Sequence, residues 1–536
     1  MRSAQSGLAV TRLLTRRSVR GALILGVVFG AIVASSITQF TAAYDTPQSR
    51  HEIATTIGGN GALRALFGSG RALETVAGWT AWRSLGIVTI LGSIWALLAA
   101  TRWLRGEEDS GRWELLVVGQ TTRRGAAARA VAAMAFGLGA LWTGTAAVAF
   151  AAGRVPEAHF TVTAASFLAL ALVAPAAIFL AVGALASQLA PTRRQASRLA
   201  AAVFGAAFLL RVVGNSGAHL RWLQWTTPLG WVQHLHPLTG PSVLPLLPLA
   251  GLVGGLAAAA VFLAGRRDVG AGVLAARDSS PPHVGLLGGP LGLAVRLERG
   301  TWLSWAAGLA VMSFLFGIVA KAVSAASSTA LEKALARFGA GHASFEAYLG
   351  LFYMIIGAAL AFAAAGHVVA TREEEAGGRA DTLLVRPLTR LRWLGGRLVV
   401  SLVAVGGLAV ITGIGGWAGS ASQHGGVGLL PALGAALNRL PAALLVLGAG
   451  TLALGLAPRR AGAIAYGLVA WSFLVEMLGA TGTGSRLLLD LSVFHHVALV
   501  PAAAFRATGA SVLTGLGVAG MAGGSALFRR RDLAEA

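Results

Sequence analysis

Two copies of one acidic segment carry the residues best suited to charge chemistry. Each copy fits the pattern E-E-x-x-G-R-x-[ED]. Of the 21 acidic residues in the chain, four lie between positions 107 and 114 and four between 373 and 381. Carboxylates clustered in this way favour recognition of a charged partner. The candidate site residues are Glu107, Glu108, Gly111, Arg112 and Glu114 in the first copy, and Glu374, Glu375, Gly378, Arg379 and Asp381 in the second.

The two acidic segments belong to a longer internal repeat. The stretch EEDSGRWELLVVGQTTR at 107–123 aligns without gaps with EEAGGRADTLLVRPLTR at 374–390, an offset of 267 residues. The same offset relates 183–191 to 450–458, and the tripeptide R-R-D occurs both at 266–268 and at 530–532. Repetition over this distance predicts a chain built from two homologous halves.

Apolar blocks long enough to cross a bilayer surround these segments. The chain has 536 residues, of which 55% are hydrophobic and only 12% are charged, whereas soluble domains have about 25% charged residues. A span of about 20 residues crosses the hydrocarbon core as a helix. Twelve candidate blocks lie at about 21–40, 85–101, 130–152, 163–188, 199–213, 246–265, 301–320, 349–370, 397–418, 431–457, 461–479 and 508–528.

This pattern predicts an all-α polytopic membrane protein of about twelve transmembrane helices. Six helices per half make the repeats parallel, which implies a pseudo-two-fold axis along the membrane normal. We expect a first half at 1–268, a cytoplasmic linker rich in Gly, Pro and Ser at 269–298, and a second half at 299–536.

The distribution of basic residues predicts the orientation. The formal net charge is +22, and with a cytoplasmic N-terminus 30 of the 43 Lys and Arg residues fall in segments on the inner side. Such a bias is the positive-inside rule. We therefore expect a multi-pass protein of the bacterial plasma membrane with both termini in the cytoplasm. No nucleic-acid partner is expected, because no soluble block is long enough to gather these charges on one surface.

Each acidic segment is predicted to form a short amphipathic helix. Glu108, Gly111 and Arg112 recur at helical spacing, and so do the matching residues of the second copy. Apolar neighbours such as Leu116 and Leu383 could lie against the bilayer and leave the charges to a soluble partner. Such an element could act as a lever between that partner and the transmembrane helices.

These features resemble the permeases of ABC-2 type transporters. In that family an acidic E-E-x-x-G-R/T-x-E stretch after the second helix meets the ATPase subunit. The fused halves most resemble the tetronasin or polyketide-antibiotic exporters of actinobacteria. The resemblance implies that the ten candidate residues couple the permease to two copies of an ABC ATPase. It also implies export of a hydrophobic or amphipathic substrate, such as an antibiotic or a lipid. The second copy differs from the first at Ala380, Asp381 and Thr382, where the first has Trp113, Glu114 and Leu115.

The sequence contains no ATPase motif of its own. A Walker A loop requires a lysine in G-x-x-x-x-G-K-[ST], but Lys321 and Lys333 stand in A-K-A and E-K-A contexts. We therefore expect a non-enzymatic transport subunit without cofactor or metal, with ATP and Mg²⁺ bound by the partner. The absence of cysteine also excludes thiolate metal ligands.

One other interpretation stays open. An ion-coupled secondary transporter of twelve helices has the same architecture, but it usually needs buried carboxylates or histidines within the spans. Few candidates for this role are evident, among them His367 and Glu476.

The G-x-G-x-x-G match at 515–520 lies inside an apolar block, where close helix packing is a better explanation than nucleotide binding.

Overall fold

The fold is known from a computed structural model. It describes residues 2–531 except 60, 112, 114–121, 275–284, 287–288, 325–344, 386–387, 424–426 and 482–485. The chain divides into two compact units, Met1–Ser280 and Pro281–Ala536. The regular secondary structure of the described residues is helical in both units.

Among its described residues the first unit contains nine α-helices of six residues or more. Their bounds are α1 Arg2–Ala43, α2 Pro47–Gly59, α3 Gly61–Phe67, α4 Val76–Thr101, α5 Arg123–Ala152, α6 Val162–Leu189, α7 Arg193–Ser216, α8 Pro228–Gln233 and α9 Leu246–Ala264. Helix α4 continues through a π-helical turn, Arg102–Gly106, into a last short turn, Glu107–Asp109. A 3₁₀ segment, Ala218–Thr226, connects α7 to α8.

The second unit also contains nine α-helices among its described residues. Their bounds are α10 Pro290–Ser324, α11 Phe345–Ala376, α12 Arg379–Leu384, α13 Arg390–Ala421, α14 Leu429–Leu437, α15 Leu440–Leu456, α16 Ala461–Thr481, α17 Arg486–Asp490 and α18 Ala507–Arg530. Short 3₁₀ turns occur at Pro458–Arg460 and Phe494–His496.

Eleven helical segments in the described part of the chain are long and apolar enough to cross a membrane, six in the first unit and five in the second. Helices α14 and α15 together form one of them, Leu429–Leu456. The sequence predicts twelve spans. Helix α16 lies where the eleventh predicted span was placed, but the side chains at its end fall outside the described residues.

The same helix pairs pack together inside each unit. In the first unit, α1 packs on α5, α4 on α6, and α6 on α9. The corresponding pairs in the second unit are α10 with α13, α11 with α15, and α15 with α18. Each unit thus joins its first long helix to the third, its second to the fourth, and its fourth to the last.

Glycines allow the closest of these approaches. In the second unit a Cβ atom added to Gly448 would overlap the backbone of Gly517, and one at Gly520 would meet Gly448. The G-x-G-x-x-G match at 515–520 therefore belongs to a helix-packing surface, as the sequence predicts.

The predicted linker, 269–298, is partly structured. Val273 and Leu274 donate backbone hydrogen bonds to the carbonyls of Gln188 and Leu189, at 3.1 and 2.9 Å, so this end belongs to the first unit. Helix α10 begins at Pro290, inside the predicted linker. Both ends of the predicted linker therefore have defined structure, and 275–284 and 287–288 lie outside the described residues.

Candidate functional site

Glu108 lies at the end of the long helix that begins with α4, and it is buried. Its two carboxylate oxygens accept hydrogen bonds from the guanidinium of Arg267, each at 2.6 Å. The backbone N–H of Gly270 donates to the same carboxylate at 2.7 Å, and Arg105 lies 3.2 Å away. The Glu108 side chain is 2% exposed. A carboxylate this deeply buried requires such partners, because an unpaired buried charge is costly.

Arg105 links this ion pair to two other parts of the first unit. It is 0% exposed and donates to the carbonyls of Gly270 and Ala271, at 2.6 and 3.0 Å, and to that of Pro191. It also pairs with Asp109 at 3.2 Å. The end of the α4 segment is therefore held against the α6–α7 turn and against the segment after α9.

Glu375, near the end of α11, has an equivalent partner in the second unit. Arg531, which follows α18, donates to both of its oxygens at 2.6 and 2.8 Å. Arg372 lies 3.9 Å from the same carboxylate. The Arg531 guanidinium also sits over the ring of Phe528, 4.8 Å from its centroid, which is a cation–π geometry.

A second arginine completes both arrangements. Arg123 donates to the carbonyl of Arg267 at 3.0 Å, and Arg390 donates to the carbonyl of Arg531. We call Glu108, Arg123 and Arg267 the first junction, and Glu375, Arg390 and Arg531 the second junction. Each junction ties the end of the second long helix of its unit to the segment after the last helix.

The repeated glycines and threonines shape the backbone around these junctions. Gly111 and Gly378 have φ of +72° and +67°, and each donates its N–H to the carbonyl of its junction glutamate at 3.0 Å. Only glycine adopts this left-handed conformation without strain. Thr122 and Thr389 accept from backbone N–H groups at the first turns of α5 and α13, which caps those helices.

The prediction of one continuous amphipathic helix per segment is wrong. Gly111 and Gly378 end the preceding helices in the left-handed conformation, so each glycine leaves the helical face of its junction glutamate. Arg112 and Glu114 lie outside the described residues. Arg379 and Asp381 belong to the separate helix α12, and their side chains also lie outside the described residues.

Glu374 has different surroundings from Glu107, its counterpart in the repeat. Glu107 is half-buried. Glu374 is buried and pairs with Arg397, which also contacts Glu298 at 2.8 Å. His367 Nδ1 lies 2.6 Å from Glu298, and the His367 ring stacks on a tryptophan, Trp302, at 3.8 Å. We call Glu298, His367, Glu374 and Arg397 the buried network of the second unit.

Sequence reasoning missed most of this network. The sequence marks His367 as one of the few ionisable residues within the spans, but it gives no partner for it and places Glu298 in the linker. At an offset of 267 residues, His367 and Arg397 correspond to Ala100 and Ala130 of the first unit. The network therefore belongs to one half alone, and comparing the halves for charged residues without a counterpart would have singled it out.

A buried arginine between α14 and α15 was also missed. Arg439 is 1% exposed, and none of its guanidinium nitrogens has a hydrogen-bond partner among the described residues. Asn438 beside it donates to the carbonyl of Ala498 at 2.8 Å. The helix break at these two residues places polar groups within an apolar span, where charges are rare.

Comparisons with known proteins agree with a permease. Residues 287–529 match the family model of the "Multidrug efflux system permease Rv1217c, C-terminal domain". Over 520 residues the chain is 31% identical to the "Multidrug efflux system permease protein Rv1217c" of Mycobacterium tuberculosis. This alignment covers 95% of the chain and 91% of the relative. The chain therefore belongs to the family of multidrug efflux system permeases represented by Rv1217c.

Proposed function

We propose that this protein is the membrane-spanning subunit of an ATP-binding-cassette exporter of the ABC-2 type. A separate ATPase homodimer, two copies per permease, would bind and hydrolyse ATP. The substrate would be a hydrophobic or amphipathic molecule, in keeping with the multidrug efflux named for the relative. The observation that carries the proposal is the recurrence of one junction, built from the same residue types, at the corresponding point of both units.

The junctions are suited to transmit motion. A bidentate arginine–carboxylate pair is strong and directional, and burial makes it costly to open. Each one fixes the turn that follows the second long helix to the segment after the last helix. A displacement of this turn would therefore move two membrane helices together. We propose that the acidic segments couple ATPase movement to the spans in this way.

Within these segments, buried and exposed residues would have different roles. Glu108 and Glu375 are buried, so they would position the turn without touching the ATPase. Asp109, with a side chain 35% exposed, and Glu373, which is exposed, could face the partner. Direct contacts by the other predicted coupling residues, among them Arg112, Glu114, Arg379 and Asp381, stay predictions.

In the proposed topology, both junctions and both termini lie on the cytoplasmic side, in accordance with the positive-inside bias of the sequence. ATP would then be hydrolysed on the side where the acidic segments lie. The sequence has no Walker A loop, so the energy source would be the partner.

Co-purification tests this proposal. The tagged permease would be expressed with an ABC ATPase encoded beside its gene, and the stoichiometry of the complex measured by native mass spectrometry. We expect two ATPase copies per permease, and loss of most of that ATPase from the Asp109→Lys, Glu373→Lys double variant. Arg154→Glu, a charge change at an exposed position on the opposite side of the first unit, is the matched control. Failure of the wild-type permease to bind any such ATPase would overturn the proposal.

One observation favours the alternative of an ion-coupled transporter. The buried network of the second unit contains two carboxylates and a histidine, the groups that carry protons in such proteins. Reconstituted vesicles distinguish the two mechanisms. Transport that needs ATP and the ATPase supports the exporter, whereas transport driven by a pH gradient without ATP supports the alternative.

A further inference from the structure

We propose that the first unit holds a binding site for the phosphate headgroup of an anionic amphiphile. The site is a cavity of about 460 Å³ lined by Arg64, Ser69, Asn215, Gly217, Arg221 and Gln224. This proposal does not depend on the ATPase. The cavity lies on the side of the first unit opposite to the first junction, at the ends of α3 and α7.

The cavity offers hydrogen-bond donors and positive charge. Arg64 and Arg221 both line it, and neither has a carboxylate partner in the part of the chain that the structure describes. The remaining polar groups are one hydroxyl and two carboxamides, and no acidic side chain lines the cavity. Two guanidinium groups are well matched to the oxygens of a phosphate, and the Ser69 hydroxyl adds a further donor.

Internal hydrogen bonds hold the cavity walls in place. Gln224 donates to Asn215 Oδ1 at 3.0 Å and to the Gly214 carbonyl at 3.1 Å. Asn215, only 7% exposed, donates to the carbonyl of Ala65 at 3.2 Å. These bonds join α3, which carries Arg64, to the end of α7 and to the 3₁₀ segment that carries the other arginine. The two guanidinium groups are therefore presented from a fixed frame, which lowers the entropy cost of binding.

One further arginine lies beside this cavity. A neighbouring cavity shares Ser69 and Gln224 with it and contains Arg71, His234 and His236. Burial, and after it the charge of Arg71, lowers the pKa of both histidines, that of His236 to about 4. The histidines are therefore neutral near pH 7, and Arg71 supplies the positive charge there. No acidic side chain lines this second cavity either.

Exposed apolar side chains beside Arg221 indicate the rest of the ligand. Leu220, Trp222 and Trp225 are 37%, 62% and 55% exposed, and all lie on the same 3₁₀ segment. Tryptophan is enriched where the bilayer meets water, at the level of the lipid headgroups. At that depth Arg221 would meet a lipid phosphate, and the tryptophans would contact the acyl chains. This favours a phosphate carried by an amphiphile over free phosphate.

Lipid binding to the purified full-length permease tests the proposal. The protein would be placed in phosphatidylcholine nanodiscs, and binding of fluorescent phosphatidylglycerol measured against that of inorganic phosphate and glycerol phosphate. We expect saturable binding of phosphatidylglycerol that weakens about tenfold or more in the Arg64→Gln, Arg221→Gln double variant. Soluble phosphates are expected to bind far more weakly than the lipid.

Controls keep the outcomes distinct. Arg154→Gln changes an exposed arginine outside the cavity on the same side and is expected to leave binding unchanged. The Arg64→Lys, Arg221→Lys double variant retains the charge and is expected to recover part of the binding. Equal binding by the Gln double variant and the wild type, with both monodisperse, would overturn the site. Equal affinity for glycerol phosphate and for the lipid would overturn the assignment to an amphiphile.

Discussion

The two junctions share one plan but differ in what surrounds them. In the first unit, Glu108 is shared by Arg267 and the fully buried Arg105, and a backbone N–H also binds it. In the second unit, Glu375 pairs with Arg531, whose side chain is 16% exposed, and lies 3.9 Å from Arg372. The residues common to both units fix the architecture, whereas the residues that differ set how firmly each acidic segment is held.

Removing the junction glutamate should lower the free energy of unfolding most. The loss should be larger in the first unit than in the second. Glu108→Ala leaves the buried Arg267 guanidinium without its carboxylate and leaves Arg105 with Asp109 alone, which costs about 3–5 kcal/mol. Glu375→Ala should cost less, because Arg531 can reach water and still contacts Phe528. Thermal unfolding in detergent measures both. Equal losses, or a larger loss for Glu375→Ala, would contradict the comparison.

The next largest loss of stability should come from breaking the buried network of the second unit. Arg397→Ala leaves Glu298 and Glu374 buried without their shared arginine, at a cost of about 3 kcal/mol. Ala130, the counterpart of Arg397 in the first unit, has no such network around it, so Ala130→Ser is a mild control. The apparent melting temperature should fall for the former only. A double variant, Arg397→Ala with Glu298→Gln, should regain part of the loss if the network is the cause.

The two glycines should respond alike, since no described residue crowds them. No atom of the described residues lies within 4 Å of a Cβ placed at Gly111 or Gly378, so the positive φ is what opposes a side chain there. Gly111→Ala and Gly378→Ala should each cost about 1–2 kcal/mol. Equilibrium unfolding would measure both, with Gly139→Ala, an uncrowded helical glycine, as the control. A loss in one junction alone would show that the two turns are not equivalent.

The smallest expected changes in stability concern His236 and His495, whose pKa values are shifted in opposite directions. Burial holds the pKa of His236 at about 4, so stability should fall as pH drops from about 6.5, the unperturbed value, toward 4. The pKa of His495 is raised, first by its hydrogen bond to Glu476. Its contribution is therefore present at low pH and lost as pH rises through the folded-state value. In a plot of stability against pH, His236→Gln should flatten the acid side and His495→Gln the neutral side. The opposite result, with His236→Gln acting on the neutral side and His495→Gln on the acid side, would contradict these pKa shifts.

Much of the junctions could be predicted from the repeat. The identities at Glu108/Glu375, Gly111/Gly378 and Arg123/Arg390 mark residues with the same role in both units, and the structure gives each a matching contact. The R-R-D tails were also visible. Their pairing with the glutamates was not, because 159 residues separate Glu108 from Arg267 and sequence does not show which distant charges meet.

The internal repeat could not predict the remaining features of the site. In the buried network of the second unit, His367 and Arg397 have alanines as counterparts in the first, so a search for shared residues passes over them. Helical spacing placed Gly111 on one face with Glu108, because periodicity does not register that glycine ends a helix in the left-handed conformation. The helix break at Asn438 and Arg439 lies in an apolar block that hydropathy treats as continuous.

Cross-linking from single cysteines tests most directly the claim that both acidic segments meet the ATPase. The chain contains no cysteine, so Asp109→Cys, Glu373→Cys and Arg154→Cys each provide one attachment point. With the ATPase present, the first two variants are expected to give permease–ATPase products, and Arg154→Cys none. Cross-linking at Arg154→Cys alone, or at none of the three positions with the ATPase bound, would contradict the proposed coupling.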